Sequence, residues 1–258
     1  MRTVFLTGPK LNSYEQAVIS RFLTTRKHRV CGAAIDARPA KPTGVRLREN
    51  LRKGRGAYVA VMAVKLLARA RATSTAASEF FAEHKVPVVE TDDPYGEKTR
   101  ARLEAFEPDV LLLTSGFGIV REPLLSLARH GVLSYHHGDL RRYRGQPPAL
   151  WEIYNGEREM GVTVQRLNAA LDAGEPIVER PIPIKPGDTV RSLRARAYAD
   201  TADMMYEAVE LLASPEFSPE PVQSLGKVYT LPNLRQWVAL NAKVGVRVIR
   251  ARLSGSHG

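Results

Sequence analysis

The densest cluster of chemically capable side chains in the sequence is Ser134-Tyr135-His136-His137-Gly138-Asp139, continued by Leu140-Arg141-Arg142-Tyr143-Arg144-Gly145. An imidazole takes and gives a proton near neutral pH, and a carboxylate beside it can orient it and hold it charged. A carboxylate suited to that task follows at Asp172, in the turn Leu171-Asp172-Ala173-Gly174. Taken alone, each feature is ordinary: a histidine at a strand end usually bonds locally, and an aspartate in such a turn usually only shapes it. Their pairing makes the candidate site. A metal is not expected, because His136 and His137 are adjacent on an extended segment and point to opposite faces, which makes joint ligation with Asp139 awkward. Ser134 lacks the G-x-S-x-G glycines of a nucleophile elbow. Gly8-Pro9-Lys10 is too short for a phosphate loop and reads as a turn.

Such residues need elements to hold them. Thr3–Thr7 reads as a strand ended by Gly8-Pro9, and Ser13-Tyr14-Glu15-Gln16 as a capping box opening a helix over Tyr14–Thr25. Strands follow at Arg29–Ile35, Val86–Glu90, Asp109–Thr114, Val132–Tyr135 and Gly161–Val164. Between them, helices are predicted at Ala57–Arg71, Ser78–His84, Glu97–Phe106 and Arg121–Arg129, with glycine-broken loops over 37–56. Near-continuous apolar strands alternating with helices predict an α/β fold: an open, mostly parallel twisted sheet with helices on both faces. Ligands bind such sheets beyond the carboxyl ends of the strands. The candidate cluster follows the strand at 132–135, which is where a site should lie. The proline-rich Pro215–Pro221 reads as a linker, dividing a catalytic domain over 1–212 from a short basic extension over 213–258 with a helix at Leu234–Leu253.

The chain has 258 residues, a formal charge of +11, and 44% hydrophobic residues, too many for a disordered class. Cys31 is the single cysteine, which excludes a disulfide scaffold and fits a cytoplasmic location. No apolar stretch approaches the ~18 residues of a spanning helix. The charge is unevenly placed. Residues 37–72 carry ten basic side chains against Glu49, and residues 233–258 carry five with no acid, leaving a body of −3. That is unlike a uniformly basic nucleic-acid-binding domain. The apolar run Ala57–Val64 beside Arg46, Arg48, Arg52, Lys53 and Arg55 offers one surface for a peripheral anionic membrane contact, and Arg247, Arg250 and Arg252 near Trp237 offer a second. A solvated face is the plain alternative for both.

Gly131-x-Leu133-Ser134-x-His136, followed by Tyr143-Arg144-Gly145, Pro147-Pro148 and Trp151, resembles the active-site segment of the folate-dependent formyltransferases. Gly161-Val162-Thr163-Val164 and Leu171-Asp172-Ala173-Gly174-x-x-Ile177 resemble that family's second motif, and Pro108-Asp109-Val110 its upstream strand. The likeness runs from about Thr3 to Leu212. It implies a Rossmann-like formyltransferase fold and transfer of a formyl group from 10-formyltetrahydrofolate to an amine. It implies catalytic roles for His136 and Asp172, with Ser134 standing where the family pattern has Asn. It further implies that Phe117, Gly118, Ile119, Val120, Leu171 and Ala173 border the folate, and that Tyr143, Arg144 and Gly145 face the acceptor. For Arg144, anchoring its own loop is the competing role. The expected acceptor is a small-molecule amine such as an amino sugar. Methionyl-tRNA is the alternative acceptor, and a non-catalytic binding protein is the alternative class, motivated by Ser134.

Overall fold

The computed structural model describes residues 1–52, 74–169 and 173–255. In chain order its elements are β1 (Arg2–Thr7), β2 (Lys10–Leu11), α1 (Ser13–Thr25), β3 (Arg29–Asp36), α2 (Thr43–Arg52), β4 (Thr75–Ala76), α3 (Ala77–Glu83), β5 (Val88–Thr91), α4 (Glu97–Glu104) and β6 (Val110–Leu113). There follow β7 (Val132–His136), β8 (Tyr143–Gly145), α5 (Leu150–Asn155), β9 (Glu159–Arg166), β10 (Glu175–Pro183), α6 (Val190–Thr201), α7 (Met204–Leu212), β11 (Lys227–Tyr229) and α8 (Leu234–Gly255).

Seven strands form the main sheet in the order β10-β9-β7-β6-β1-β3-β5. The five from β7 to β5 run parallel, and β9 and β10 add an antiparallel edge. The central strand runs are nearly continuous in apolar residues because each face is covered. Phe5 packs with Ile19, Phe22, Phe81 and Leu112 on one side, while Val4 and Leu6 pack with Leu103, Leu111 and Leu124 on the other. That is the period-two alternation of a strand buried twice over. The sheet order reverses at β1, so the crevice between the carboxyl ends of β1 and β6 is the switch point where such folds bind ligands.

Three local expectations change. The cap of α1 is Asn12, one residue before Ser13: its side chain accepts from the Tyr14 and Glu15 amides, and the Glu15 side chain returns to the Asn12 amide. Within the glycine-broken stretch at 37–56, residues 43–52 are helical instead of looped. Pro42 precedes this helix, and a Lys41–Glu49 ion pair of 2.7 Å braces it. The helix expected over Arg121–Arg129 is reduced to one 3₁₀ turn at Leu124–Ser126, because Pro123 supplies no amide and Gly131, at φ +69°, turns the chain into β7. The helix expected over Ala57–Arg71 lies outside the described residues.

Candidate active site

β7 is the last parallel strand, and it carries the cluster to the carboxyl edge of the sheet. Ser134 and His136 share one face, since they are two residues apart, and Tyr135 takes the other. Ser134 lies opposite Leu113 on β6 and Gln165 on β9, and His136 lies opposite Thr163. His136 is 5% exposed, and its Nε2 meets the carbonyl oxygen of Tyr143 at 2.7 Å. A carbonyl only accepts, so Nε2 carries the proton and the lone pair of the neutral ring sits on Nδ1. The turn that presents this carbonyl is built by Asp139, whose own carbonyl accepts from the amides of Arg142 and Tyr143 and whose Oδ1 accepts from Arg141. Gly138 makes the approach feasible: a Cβ there would lie 2.5 Å from the Tyr143 oxygen and 2.7 Å from His136 Nε2. The Ser134 hydroxyl reaches the Tyr135 carbonyl at 3.4 Å, long for such a bond, and so is only loosely committed.

His137 is a different object from its neighbour. Its ring sits among Tyr14, Tyr135 and Tyr198, with centroids 5.7, 5.7 and 4.7 Å away. Burial, with His136 and Arg194 adding positive charge nearby, lowers its pKa to about 3. Its Nε2 is sealed from solvent and has no hydrogen-bond partner. The Tyr135 hydroxyl, which donates to the Thr201 carbonyl and accepts from the Met205 amide, ties this aromatic box to α6 and α7.

Leu171 and Asp172 lie outside the described residues. The described residues on either side of 170–172 are tied to the sheet and to one another. The Gly174 amide donates to Gln165 Oε1 at 3.0 Å, the Asn168 side chain donates to the Ala173 carbonyl at 2.6 Å, and the Leu167 amide donates to Val132. A Cβ at Gly174 would lie 2.2 Å from the Arg166 carbonyl oxygen, so only glycine closes this turn.

Of the residues expected to border a folate, Phe117 and Val120 bury their side chains in the core, while Gly118 and Ile119 are exposed. Ser115 bridges Thr7 and the Gly8 amide, and Gly116 lies so close to Gly8 that a Cβ would approach its nitrogen to 2.8 Å. Asp36, whose carboxylate is held below the usual range chiefly by Arg38, accepts from the Phe117 amide at 2.8 Å. The Tyr95 hydroxyl donates to the Ile119 carbonyl at 2.9 Å. The loop is thus a rigid lip at the switch point.

Tyr143, Arg144 and Gly145 form β8, and β11 of the C-terminal segment pairs with it in parallel. Tyr143 stacks on Tyr229 at 5.1 Å, its hydroxyl donates to Glu157 at 2.7 Å, and Trp151 Nε1 donates to the Thr230 carbonyl at 3.0 Å. Arg144 reaches the Gly226 carbonyl of the C-terminal segment at 3.5 Å, a contact outside its own loop. Gly145 stands at φ +85°, and a Cβ there would collide with the Tyr229 carbonyl at 2.1 Å. The segment after the proline-rich linker therefore packs directly on the site loop.

Sequence reasoning missed Glu152. It occupies the first turn of α5 among the buried Leu150, Trp151 and Ile153, and is itself 2% exposed. Burial pushes its pKa up to about 7, with smaller opposing effects from His136 and Arg142. An acid inside the apolar run Leu-Trp-Glu-Ile was the available signal.

The family model described as "Formyl transferase" matches residues 10–209. The chain belongs to the formyl transferase family. Among curated relatives, the methionyl-tRNA formyltransferase of Anaeromyxobacter sp. (strain K) is 32% identical over 166 residues, which is 64% of this chain and 49% of that protein. That of Geobacter metallireducens is 31% identical over 160 residues, 62% of this chain and 47% of its own. The chain spans about half the length of these relatives. Among solved structures, glycinamide ribonucleotide transformylase 1 from Symbiobacterium toebii superposes with a TM-score of 0.61 at 22% identity, covering 89% of this formyl transferase chain and 94% of its own. An N-formyltransferase from Helicobacter canadensis, solved with folinic acid and dTDP-3-aminofucose, gives 0.58 at 14% identity, covering 89% and 71%. These likenesses establish the mostly parallel, Rossmann-like formyl transferase fold.

Proposed function

We propose that this formyl transferase moves a formyl group from 10-formyltetrahydrofolate to the amine of a small-molecule acceptor, an amino sugar being the leading class. The observation that carries the reading is the placement of Ser134 and His136 on one face of β7, at the carboxyl edge of the sheet, with the imidazole locked by the Tyr143 carbonyl. The lip at 115–120 fits a flat heterocycle. Ile119 is 61% exposed, and a Cβ at Gly118 would meet nothing within 4 Å, so backbone groups and an apolar side chain are available to a ring. Bound there, the co-substrate supplies an activated formyl carbon.

The remaining chemistry belongs to the chain. An attacking amine leaves negative charge on the formyl oxygen, and preorganised donors stabilise that charge. His136, doubly protonated, is one donor, and Asp172 holds its charge and helps take the amine proton, directly or through water; the bond between the formyl carbon and the folate nitrogen then breaks, and that nitrogen leaves carrying the proton taken from the amine. The loosely committed Ser134 hydroxyl turns to donate the second bond. A groove of about 250 Å³ beside the site is lined by Tyr143, Arg141, Arg142 and Arg180 together with Asp139, Glu159 and Glu179, and its arginines are paired with Glu179, Glu157 and Asp203, a mixed lining with room for a small polar acceptor. Mass spectrometry of aminosugar nucleotides and of methionyl-tRNA, after incubation with enzyme and co-substrate, should show a gained formyl group on the former. No gain on any amine, with His136→Ala indistinguishable from wild type, would leave a binding protein instead.

Methionyl-tRNA is the second reading, and the names of the curated relatives favour it. In that case α8 is the expected RNA contact. It carries Arg235, Lys243, Arg247, Arg250 and Arg252 with no acid, and a gel shift with initiator tRNA should weaken steeply with salt. The same helix exposes Leu234, Val238, Val246, Ile249 and Leu253, the chemistry of a peripheral anionic surface contact. Co-sedimentation with anionic vesicles tests that contact. No helix among the described residues is long and apolar enough to cross a membrane.

A further inference from the structure

β8 stands apart from the seven-stranded sheet. Among the described residues its ladder partner is β11, which arrives from beyond the proline-rich stretch and pairs with it as Lys227–Tyr143, Val228–Arg144 and Tyr229–Gly145. A two-stranded ladder this short is marginal by itself. Rings and backbone add to it. The Tyr229 ring lies 5.1 Å from that of Tyr143 and 5.0 Å from that of Trp151, contacts that add to the area they bury. The Tyr229 carbonyl accepts from the Gln146 amide at 3.1 Å, the Thr230 carbonyl accepts from Trp151 Nε1 at 3.0 Å, and the Gly226 amide donates to the Leu140 carbonyl at 2.8 Å. Residues 226–230 therefore grip the site loop on both sides of Tyr143, at Leu140 and at Gln146. Both grips are close. A Cβ at Gly226 would lie 2.5 Å from the Arg142 nitrogen, and one at Gly145 would lie 2.1 Å from the Tyr229 oxygen. Between the grips is the Tyr143 carbonyl, 2.7 Å from His136 Nε2.

We propose that Tyr229 is a positioning residue for His136: through the β11–β8 ladder and its stack on Tyr143, it fixes the carbonyl to which the catalytic ring donates. The inference rests on the formyl-transfer reading and deepens it. Tyr229 acts through Tyr143 and not by touching the imidazole. Two other bonds hold Tyr143: its amide donates to the Asp139 carbonyl and its hydroxyl to Glu157, each at 2.7 Å. These fix the start of the residue and the tip of its ring. The peptide between Tyr143 and Arg144, whose oxygen meets His136, lies instead within the ladder that β11 makes. The catalytic unit then runs past Leu212 to Thr230, and the prolines at 215–221 mark a loop within it, not its border. The core supports that boundary, since Phe217 packs against the same apolar cluster as the sheet and Leu240 of α8 is buried in it.

The test compares Tyr229→Ala with Tyr229→Phe, which keeps the ring. ¹⁵N NMR of the His136 imidazole at alkaline pH reads which nitrogen of the neutral ring holds the proton. Wild type and Tyr229→Phe should show the Nε2–H form alone, and Tyr229→Ala a mixture of the two forms. In turnover, Tyr229→Ala should fall about a hundredfold in kcat with the KM for the co-substrate within a few-fold, and Tyr229→Phe should recover the rate. Hydrogen exchange in wild type needs no variant to fold: the Gln146 and Gly226 amides and the His136 Nε2 proton should exchange as one opening unit. A pure Nε2–H ring in Tyr229→Ala, or a loss of rate carried wholly by KM, would overturn the proposal. So would a His136 proton that exchanges independently of the two amides, and this measurement decides alone if Tyr229→Ala does not fold. Failure of wild type to formylate any amine sinks the functional reading instead, and the ring form and the exchange still decide the clamp.

Discussion

The two faces of β7 make the sharpest contrast in the molecule. His136 and His137 are adjacent in the chain, identical in type and close in space, yet they sit in opposite environments. His136 has its tautomer set by the Tyr143 carbonyl, against a glycine that clears the way. His137 is boxed by three tyrosines, pushed to neutrality, and left with an unsatisfied nitrogen. The difference shows that an imidazole's chemistry here depends on which backbone carbonyl it finds, and strand alternation decides which residue finds it.

The strongest way to break this contrast is to remove the working ring. His136→Ala should lower turnover by ~100–10,000-fold while leaving thermal unfolding nearly unchanged, whereas His137→Phe should leave kcat within a few-fold of wild type. Equal losses in both variants would end the distinction between the faces. Ser134→Ala tests the second donor, and a loss of ~100-fold is expected in kcat at constant KM. If the serine variant matches wild type, the hydroxyl is not a donor, and Ser134→Asn should then raise the rate.

Gly138→Ala sharpens the contrast without touching a reacting group. Its methyl would enter the His136–Tyr143 contact, so a misplaced ring costing ~100-fold in rate is expected, checked by turnover measured alongside thermal unfolding. The smallest effects are in stability against pH. His137, with its pKa depressed, favours folding while neutral, so stability falls as pH drops below about 6.5, by up to ~1.4 kcal/mol per pH unit. Glu152, with its pKa raised, does the reverse: its contribution is complete below about 4.5 and is lost as pH rises through about 7. Denaturant unfolding across pH should therefore lose its acid slope in His137→Phe and its slope between these two values in Glu152→Gln.

Much of this was legible before any coordinates. The alternation of apolar strands with helices announced a parallel sheet, because only a sheet buried on both faces needs unbroken apolar strands. Position at a strand end marked the Ser134–His136 pair, since ligands bind such sheets at that edge. What was not legible depended on contacts between distant segments. Nothing local says that Tyr229 stacks on Tyr143, or that Gly145 is glycine because a strand from the C-terminal segment lies against it. Arg121–Arg129 has helix-forming composition, but Pro123 and the turn at Gly131 leave space for a single 3₁₀ turn.

By itself, the sequence determined the mostly parallel sheet and the face shared by Ser134 and His136, because hydrophobic periodicity and strand alternation are local properties, while the order of the strands is not. Tertiary structure alone decided the state of each group. The Nε2 of His136 is committed to donating because the carbonyl of Tyr143, seven residues on, meets it. Glu152 is an acid with a pKa near neutrality because α5 carries it into the interior, where a charge without a partner is costly.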